Sequence, residues 1–426
     1  MGTICVVGLG YVGVPLSVAF GKEGHDVIGY DIDEGKVNKI NNGVDPSGDF
    51  EDKMIEQADI RATTDPTFIS DAEYVIVTVP TPVDDLKNPK LEYVEEAGQV
   101  IGKYIESGTT VILESTVYPG ATREVLAPSI EETSGLASGE GFYIGYSPER
   151  IVPGDESRGI QDIVKIVSGQ TDEVLEDIAS LYESIIHAGI HKAPEIEVAE
   201  AAKAIENVQR DVNIALMNEL AIACYNIGLD THEVLKAART KWNFHDYRPG
   251  LVGGHCIPVD PFYIIHESKR QGYIPELIET GRKVNEYMPT HIADLLLREL
   301  NNQGKVLCES TVLILGLAYK PGVGDVRTSA VDKAIERLQV YDVDVIGFDP
   351  HADQGELEKE FDTQVADKIE FSGIDAVLLA TPHKQCQTLD YSQMESEMNE
   401  NPILLDVDHV LDGEKVTKTG IKYVSL

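Results

Sequence analysis

A strand–helix–strand pattern at the start of the chain constrains its fold most strongly. Residues 3–8, TICVVG, form a short apolar run rich in β-branched residues, which is typical of a buried parallel strand. A helical pattern follows and ends at Gly24. A second strand pattern, DVIGY at 26–30, is followed directly by Asp31. Strands joined through a helix lie parallel in one sheet, so the chain is expected to begin with an α/β domain.

The turn between this strand and helix has the spacing G-x-G-x-x-G, in the order Gly8-Leu9-Gly10-Tyr11-Val12-Gly13. In this motif the first glycine makes the turn, the second lets a pyrophosphate approach the backbone, and the third lets helix and strand pack. The helix N-terminus attracts the phosphates. Asp31 would bind a ribose 2′-hydroxyl and repel a 2′-phosphate, which predicts NAD rather than NADP. Every motif residue except Leu9 is a candidate cofactor contact; a turn without a ligand is the alternative.

Polar side chains follow several further strand patterns. These patterns lie at 74–79, 109–113, 142–146 and 163–167 and predict a doubly wound sheet. Ligands of such sheets bind beyond the carboxyl ends of the strands. Three of those ends carry Pro80-Thr81-Pro82, Glu114-Ser115-Thr116 and Ser147-Pro148-Glu149-Arg150. One such end is usually just a turn, but three together predict a lined cleft.

A long helical pattern without proline or glycine runs from about residue 196 to 226. Lys203 and Asn207 are spaced i, i+4 within it and therefore share one face of the helix. The same face carries Ala199 and Glu206. A lysine on a mostly small-residue face indicates a functional role, but an ordinary exposed lysine and a helix buried in a dimer interface are both open alternatives.

The stretch 241–263, KWNFHDYRPGLVGGHCIPVDPFY, places Cys256 in a loop rich in glycine and proline. Glycines such as Gly253 let a backbone approach a ligand closely, and prolines stiffen a loop. His255 precedes the thiol and Asp260 follows it. A cysteine displayed in this way is a candidate nucleophile. The alternative is that Cys256 is a small buried hydrophobic residue.

The last third of the chain again has the alternating strand and helix patterns of an α/β domain. A helical pattern at about 276–302 precedes strand patterns at 311–316, 343–348, 375–380 and 402–407. We therefore expect two doubly wound, Rossmann-like α/β domains joined by a long central helix. Lys320, Asp325 and Arg327 come just after the first of these strands, where a ligand is expected to bind. Surface charges on a turn are the alternative.

The chain is strongly acidic. It has 73 Asp and Glu against 35 Lys and Arg, a formal net charge of −38, and the acidic residues are dispersed over the whole length. Self-repulsion of this size destabilises a compact state at low salt, and salt screens it. The charge predicts a protein adapted to a salty cytoplasm, as in a halophile. It disfavours nucleic acid as a partner, because binding requires a basic surface.

The remaining composition favours a cytoplasmic location. The five cysteines are scattered without a CxxC pair, which argues against a disulfide framework or a zinc site and suits a reducing compartment. No apolar run approaches the roughly 20 residues that span a membrane. The N-terminus lacks the basic region of a signal peptide and runs straight into a strand.

Seven motifs together resemble the family of UDP-sugar and GDP-mannose dehydrogenases over essentially the full length. They are GLGYVG (8–13), VPTP (79–82), ESTVYPG (114–120), SPER (147–150), EAAKAIENVQRDVNIALMNELA (200–221), PGLVGGHCIPVDPFY (249–263) and GLAYKPGVGDVRTS (316–329). The resemblance implies oxidation of the C6 alcohol of a nucleotide-linked hexose to a carboxylate, with two NAD and a covalent thioester.

The resemblance also implies roles for individual residues. Cys256 would add to the C6 aldehyde, because a thiolate is both a strong nucleophile and a fair leaving group. Lys203 and Asn207 would stabilise the oxyanions. Asp260 and Thr116 would position water and pass protons, and Glu149 would be the general base of hydrolysis. Lys320 would contact the substrate diphosphate, Arg327 the NAD pyrophosphate, and the remaining expected contacts are Pro80, Thr81 and Thr116 for the cofactor and Glu149, Arg150, Lys203, Asn207, Arg248 and Gly253 for the substrate.

The resemblance divides the chain into an NAD-binding Rossmann domain at 1–194, a central helical dimerisation domain with the cysteine loop at 195–303, and a UDP-sugar-binding domain at 304–426. A homodimer through the central helix is expected.

The form of the cysteine loop favours the UDP-N-acetylhexosamine branch of the family, with UDP-GlcNAc or UDP-GalNAc before UDP-ManNAc. Enzymes for UDP-glucose and GDP-mannose usually carry a lysine after Cys-x-Pro, where this chain has Val259. Gly324 stands where many relatives have an acid. Arg248 is expected either to meet the substrate or to pair with a neighbouring acid.

Three alternatives remain at this stage. One is a UDP-glucose 6-dehydrogenase. The second is a two-electron hydroxyacid dehydrogenase that uses a lysine and an asparagine on a long helix but does not need Cys256. The third is a catalytically silent NAD or nucleotide-sugar binding module, which would have no need of Cys256, Lys203 and Asn207 together.

Overall fold

The computed structural model describes residues 2–46, 55, 57–151 and 159–426. The chain divides into two compact units. The first contains Met1–Asn207 and Phe262–Ile274, and the second contains Val208–Pro261 and Pro275–Leu426. The divisions after Asn207 and after Pro261 fall inside two helices, Ile196–Ile227 and Asp260–Arg270.

Within the described residues, the first unit is built on an eight-stranded sheet in the order β3-β2-β1-β4-β5-β6-β7-β8. Its strands are β1 Thr3–Val7, β2 Asp26–Tyr30, β3 Ile60–Thr63, β4 Tyr74–Val77, β5 Thr110–Leu113, β6 Tyr143–Tyr146, β7 Lys165–Gly169 and β8 Ile190–Lys192. Neighbouring strands are parallel except β6 and β7, which pair antiparallel. The chain order reverses beside β1, which creates the crevice where α/β sheets bind ligands.

The helices of this unit cover the sheet. Among the described residues they include α1 Gly13–Lys22, α2 Glu34–Asn41, α3 Glu92–Tyr104, α4 Ala127–Ser134, which follows a π-helical turn at Thr122–Leu126, and α5 Asp172–Glu183. Residues of β1, α1 and α5 meet in one core, in which Ile4, Leu16 and Ile178 are completely buried. Apolar side chains on both faces of the sheet explain the continuous apolar runs in its strand sequences.

The long predicted helix is present as α6, Ile196–Ile227. It is followed by α7 Thr231–Ala238, α8 Asp260–Arg270 and α9 Glu276–Asn302. Within the second unit α6 and α9 are joined by a buried polar contact in which Arg282 Nη1 lies 2.5 Å from Asp211 Oδ1. Asn285 Nδ2 donates to the same carboxylate oxygen at 2.7 Å, so the charge of Asp211 is compensated away from water.

The second unit contains a six-stranded parallel sheet in the order β11-β10-β9-β12-β13-β14. Its remaining elements are β9 Thr311–Leu315, α10 Val331–Gln339, β10 Asp344–Phe348, α11 Gln354–Glu360, β11 Gln364–Val365, β12 Ala376–Leu379, α12 Tyr391–Glu397, β13 Ile403–Asp406, α13 Gly413–Lys418 and β14 Lys422–Ser425. Its chain order, third-second-first-fourth-fifth-sixth, is the order of the first six strands of the other sheet. The prediction of two doubly wound domains joined by a long helix is confirmed.

The strand predicted at 163–167 was placed two residues too early, because β7 covers Lys165–Gly169. Val164 has 42% of its surface exposed, whereas Lys165 is only 3% exposed and faces the interior. The strands β3, β8, β11 and β14 were not predicted at all, because they are short or lie at a sheet edge. The domain boundaries at 194 and 303 remain predictions.

Within the described ranges, no helix has both the length and the apolar character needed to cross a membrane.

Candidate active site

The glycine-rich turn has the geometry that a dinucleotide requires. Gly8 has φ of +99°, and its carbonyl oxygen accepts a 2.6 Å hydrogen bond from Thr78 Oγ1. A Cβ atom on Gly13 would lie 1.9 Å from the Gly8 oxygen, so a side chain there would separate α1 from β1. A Cβ atom on Gly10 would meet no atom within 4 Å. The open space lies where the second glycine is expected to admit a pyrophosphate, so these residues fit NAD.

Asp31 is buried at the end of β2 and is held by the same turn. Its Oδ2 accepts a 2.7 Å hydrogen bond from the Leu9 amide, and its Oδ1 accepts one of 2.9 Å from the Asp33 amide. Lys36 Nζ lies 3.4 Å from Oδ2. The carboxylate is therefore fixed in orientation next to the glycine turn, where it can accept a hydrogen bond from a ribose hydroxyl.

The loops after β4 and β5 are connected by side-chain hydrogen bonds. Thr81 Oγ1 donates to the Thr116 carbonyl oxygen at 2.6 Å, and Ser115 Oγ donates to the Val79 carbonyl oxygen at 2.6 Å. The Tyr263 hydroxyl donates to the Thr81 carbonyl oxygen. The structure thus brings together the predicted cofactor contacts Thr81 and Thr116 at the carboxyl end of the sheet.

Glu149 follows β6 and curls back on its own loop. Its Oε1 accepts hydrogen bonds from the backbone amides of Arg150 and Ile151, at 2.5 and 2.6 Å. The Arg150 guanidinium donates to the Val164 carbonyl oxygen at 2.6 Å and lies 2.7 Å from a Glu206 oxygen. The carboxylate of Glu149 is therefore oriented by the backbone, and Arg150 connects this loop to α6.

A buried ion-pair cluster lies behind Glu149. Lys165 Nζ lies 2.9 Å from Glu114 Oε2 and 3.5 Å from Glu149 Oε2, and Tyr182 donates its hydroxyl hydrogen to Glu114. Burial raises the pKa of Glu114 to about 6 although Lys165 opposes the shift. Burial alone would lower the pKa of Lys165, but the two carboxylates raise it above its ordinary value. Lys165 was not predicted to have a role; its only signal in the sequence is a charged residue at the start of a buried strand.

Lys203 and Asn207 lie on one face of α6 as predicted, with Asn207 buried and Lys203 half-buried. Glu200, one turn before Lys203, was not predicted to have a role. Its carboxylate is fully buried and accepts hydrogen bonds from the Gly120 amide at 2.5 Å and from the Thr122 amide at 2.9 Å. This contact fixes α6 against the loop that follows β5, and burial raises the pKa of Glu200 to about 7.

Cys256 belongs to the second unit and is exposed there, which contradicts the alternative of a buried structural cysteine. Its carbonyl oxygen accepts a 2.9 Å hydrogen bond from the amide of Asp260, the first residue of α8. Gly254 has φ of +88°, and a Cβ atom there would lie 2.8 Å from the Tyr319 ring. A Cβ atom on Gly253 would lie 3.0 Å from the Tyr319 Cβ atom. The glycines therefore let the cysteine loop lie against the loop that follows β9.

Buried asparagines anchor the start of the cysteine loop. Asn218 of α6 accepts a 2.8 Å hydrogen bond from the Gly250 amide through Oδ1 and donates to the Gly250 carbonyl oxygen at 3.1 Å. Asn218 Nδ2 also donates to Asn285 Oδ1 of α9 at 2.9 Å. Two helices of the second unit thus hold the loop by its backbone.

A chain of charged contacts begins at His255, the residue before Cys256. His255 Nε2 lies 3.1 Å from Asp325 Oδ2, and the Arg327 guanidinium donates to both oxygens of Asp325, at 3.0 and 2.9 Å. Burial would raise the pKa of Asp325, but these hydrogen bonds outweigh it and hold the pKa well below its usual range. Asp325 therefore stays ionised and fixes the Arg327 side chain.

The other predicted substrate contacts lie in the second unit. Lys320 is half-buried on the loop after β9. Arg248 lies 3.8 Å from Asp246, and its contact with the substrate remains a prediction. A Cβ atom on Gly324 would lie 2.5 Å from the His351 carbonyl oxygen, which explains why this chain has glycine at that position.

Three models of one family match the chain in order. They are the UDP-glucose/GDP-mannose dehydrogenase family NAD binding domain at residues 2–186, its central domain at 197–287 and its UDP binding domain at 313–413. The glycine turn and Asp31 fall in the first, the cysteine loop in the second, and Lys320 with Arg327 in the third.

Individual relatives match over almost the whole chain. Protein CapL of Staphylococcus aureus is 44% identical over 417 residues, and UDP-N-acetyl-D-glucosamine 6-dehydrogenase of Salmonella typhi is 40% identical over 413 residues, each match covering 97% of both sequences. The structure of a UDP-D-ManNAc dehydrogenase from Pyrococcus horikoshii aligns with a TM-score of 0.88 at 31% identity, covering 99% of this chain and 98% of that one. The chain is therefore an NAD-dependent oxidoreductase of the UDP-glucose/GDP-mannose dehydrogenase family.

Proposed function

We propose that this enzyme oxidises the C6 hydroxyl of a UDP-N-acetylhexosamine to a carboxylate, with UDP-GlcNAc or UDP-GalNAc as the first choice and UDP-ManNAc next. The observation that carries the proposal is the exposed Cys256 on its anchored, glycine-rich loop. The relative from Salmonella typhi, 40% identical, is named for UDP-N-acetyl-D-glucosamine, whereas the structural relative from Pyrococcus horikoshii is named for UDP-D-ManNAc.

The proposed chemistry has two oxidations and one hydrolysis. NAD, when bound, accepts a hydride from the substrate carbon in each oxidation. The Cys256 sulfur adds to the aldehyde carbon formed first, and the second oxidation converts this thiohemiacetal to a thioester. Water then attacks the thioester carbonyl carbon, the carbon–sulfur bond breaks, and the thiol is regenerated with the sugar carboxylate. Only a residue that is both nucleophile and leaving group supports this sequence, which is why a thiol is required.

Other side chains have supporting roles in this proposal. Lys203 and Asn207 stabilise negative charge on the C6 oxygen through an ammonium and an amide presented by one helix face. Thr116 and Asp260 position water and transfer protons, and Glu149 accepts a proton from the attacking water. Asp31 selects NAD over NADP by accepting from the ribose hydroxyl, and Gly8, Gly10, Tyr11, Val12, Gly13, Pro80 and Thr81 complete the cofactor contacts.

Substrate and cofactor phosphates need cations and backbone donors. We assign the substrate diphosphate to Lys320 and the NAD pyrophosphate to Arg327, whose guanidinium Asp325 already orients. Arg150, Arg248 and Gly253 are proposed as further substrate contacts.

The helix α6 carries the observation that supports a homodimer. Its exposed apolar side chains are Val198, Ile205, Leu216, Leu220 and Ile227. At about 100° per residue these positions fall within roughly 60° of arc, so they form one stripe along the helix. Exposed stripes of this kind mark interfaces, and we propose that a second copy of the chain covers this one.

A substrate panel tests the sugar assignment. The purified protein is assayed in KCl with NAD and, in parallel, UDP-GlcNAc, UDP-GalNAc, UDP-ManNAc and UDP-glucose, and kcat/KM is compared. We expect the highest kcat/KM for UDP-GlcNAc or UDP-GalNAc. Preference for UDP-glucose would contradict the N-acetylhexosamine assignment but leave the cysteine chemistry in place.

A further inference from the structure

The buried lysine behind Glu149 has more counter-ions than a structural role requires. Burying one ammonium group is costly unless it is paired, and Glu114 at 2.9 Å supplies that partner. Tyr182 supports the pair by donating to Glu114, and its ring centroid lies 5.2 Å from the ammonium. The second carboxylate, Glu149, brings an additional negative charge to Lys165.

The two carboxylates differ in their access to solvent. The side chain of Glu114 has no exposed surface, whereas that of Glu149 is 13% exposed. Glu114 is therefore enclosed with Lys165, while Glu149 has one side against the ammonium and an open side. Among the residues that the structure describes, the charged or titratable groups near Glu149 besides Lys165 include Glu114 from the end of β5, Tyr182 from α5 and its own neighbour Arg150.

We propose that Lys165 is a positioning residue for Glu149: its ammonium, 3.5 Å from Glu149 Oε2, orients that carboxylate, while Glu114 remains the counter-ion of Lys165 when Glu149 takes up a proton. The inference rests on the proposed function, in which Glu149 is the base of thioester hydrolysis. This role requires two carboxylates beside one ammonium group, and the cluster contains Glu114 and Glu149 beside Lys165.

The proton balance of the hydrolytic step explains the arrangement. As water attacks the carbonyl carbon, one water proton moves to Glu149 and the oxygen adds to the carbon. The carbon–sulfur bond then breaks and the Cys256 sulfur leaves as a thiolate, which is reprotonated as Glu149 returns to its ionised form. While Glu149 is neutral, Lys165 still faces the Glu114 carboxylate, so no unpaired cation is left in the interior.

Two substitutions are expected to act in opposite directions. Lys165→Met removes a positive charge beside the carboxylate of Glu149, so the acid limb of the pH profile for hydrolysis should move to higher pH. Glu114→Gln removes a competing negative charge, so the acid limb should move to lower pH. A residue that matters only for folding would not produce shifts of opposite sign.

The experiment follows the covalent adduct on Cys256. Enzyme, NAD and UDP-GlcNAc are mixed between pH 5 and 9 and quenched in acid, and intact-protein mass spectrometry measures the fraction of enzyme carrying the acyl adduct with time. On the acid limb, Lys165→Met should slow adduct decay about tenfold, which corresponds to a shift of about one pH unit. Lys165→Arg, which keeps the charge, should restore most of the rate. The first NADH should form at the wild-type rate in all variants.

Lys192→Met is the matched control, because Lys192 of the neighbouring β8 forms an exposed pair with Glu176 at 2.5 Å. Its profile should equal that of the wild type. Shifts in the same direction for Lys165→Met and Glu114→Gln, or unchanged adduct decay in Lys165→Met, would overturn the proposal.

If Lys165→Met does not fold, the double variant Glu114→Gln/Lys165→Met replaces it. The double variant removes one negative and one positive charge, so the cluster keeps the formal charge of −1 that it has in the wild type. Comparison of the double variant with Glu114→Gln alone then shows the effect of the lysine. The acid limb of the hydrolysis profile should lie at higher pH in the double variant. Acid limbs at the same pH in the two variants would contradict the positioning role of Lys165. A wild-type enzyme that forms one NADH per sugar and no adduct would remove the proposed function itself. Two NADH with an adduct, but without the opposite shifts, would remove only this inference.

Discussion

Asp31 and Asp349 occupy equivalent places in the two sheets. Asp31 accepts from the Leu9 amide at 2.7 Å, and Asp349, directly after β10, accepts from the Leu317 amide at 2.8 Å. Each amide comes one residue after the glycine that turns the chain from the first strand of its sheet, Gly8 in one unit and Gly316 in the other. Both glycines have positive φ, +99° and +84°.

The two carboxylates differ in their second partner. Asp31 has Lys36 at 3.4 Å, whereas Asp349 is paired with the buried His383, whose Nε2 lies 3.1 Å away. The Gly322 amide donates to His383 Nδ1 at 3.1 Å, so the histidine donates from Nε2. In the second unit a histidine therefore occupies the position where, in the first unit, we propose that a ribose hydroxyl binds.

Asp349→Asn should lower the free energy of unfolding by about 3 kcal/mol, because it turns an amide hydrogen toward buried donors. Burial would raise the pKa of Asp349, but the His383 bond and backbone amides lower it from 3.8 to about 2. Because its pKa is lower in the folded protein, the Asp349 carboxylate stabilises the fold at pH values above the ordinary pKa of 3.8. This stabilisation is lost as the pH falls through about 2, so it is fully present at pH 7. Chemical denaturation at pH 7 measures it, and a loss below about 0.5 kcal/mol would contradict this role for the residue.

Alanine at Gly10 and at Gly13 should have different effects. A Cβ atom at Gly10 meets nothing within 4 Å, so Gly10→Ala should unfold within about 0.5 kcal/mol of the wild type yet bind NAD at least tenfold more weakly. A Cβ atom at Gly13 lies 1.9 Å from the Gly8 oxygen, so Gly13→Ala should lose about 2 kcal/mol or more. Denaturation curves and NAD titration by calorimetry provide both quantities. Unchanged NAD affinity in Gly10→Ala would show that the pyrophosphate binds elsewhere.

Salt should stabilise the protein through screening of its formal charge of −38. Raising KCl from about 0.1 to 1 M shortens the Debye length from about 10 to 3 Å, which weakens the self-repulsion of the dispersed carboxylates. We expect Tm and activity both to rise over this range. Sucrose of equal osmolality, which does not screen charge, is the control and should raise Tm less. Full activity and an unchanged Tm at low salt would contradict adaptation to a salty cytoplasm.

The sequence predicted the elements whose patterns are local. The helix α9 lies at Glu276–Asn302, where its periodicity predicted it, and β2 lies at Asp26–Tyr30. The glycine motif also predicted its own geometry, because positive φ and close helix packing are properties of glycine at those spacings. The glycines and prolines around Cys256 left a displayed thiol and a buried cysteine as alternatives, and the structure shows the residue exposed.

The contacts that cross between distant segments were not predictable in the same way. Lys165 and Glu114 are 51 residues apart in the chain, and neither has a local pattern that names the other. Glu200 and the amide of Thr122, 78 residues apart, meet only because the fold brings α6 to the loop after β5. A charged residue inside a buried strand or helix indicates that a partner exists, but the partner becomes known only from the structure.

The most direct test of the account is the number of NADH molecules formed per sugar consumed. The purified protein is given limiting UDP-GlcNAc, or the best substrate of the panel, with excess NAD in high KCl, beside a Cys256→Ser variant. We expect a ratio near two for the wild type and loss of this complete oxidation in the variant, because serine is a poor leaving group. A ratio near one that Cys256→Ser leaves unchanged would contradict the thioester route and favour a two-electron dehydrogenase.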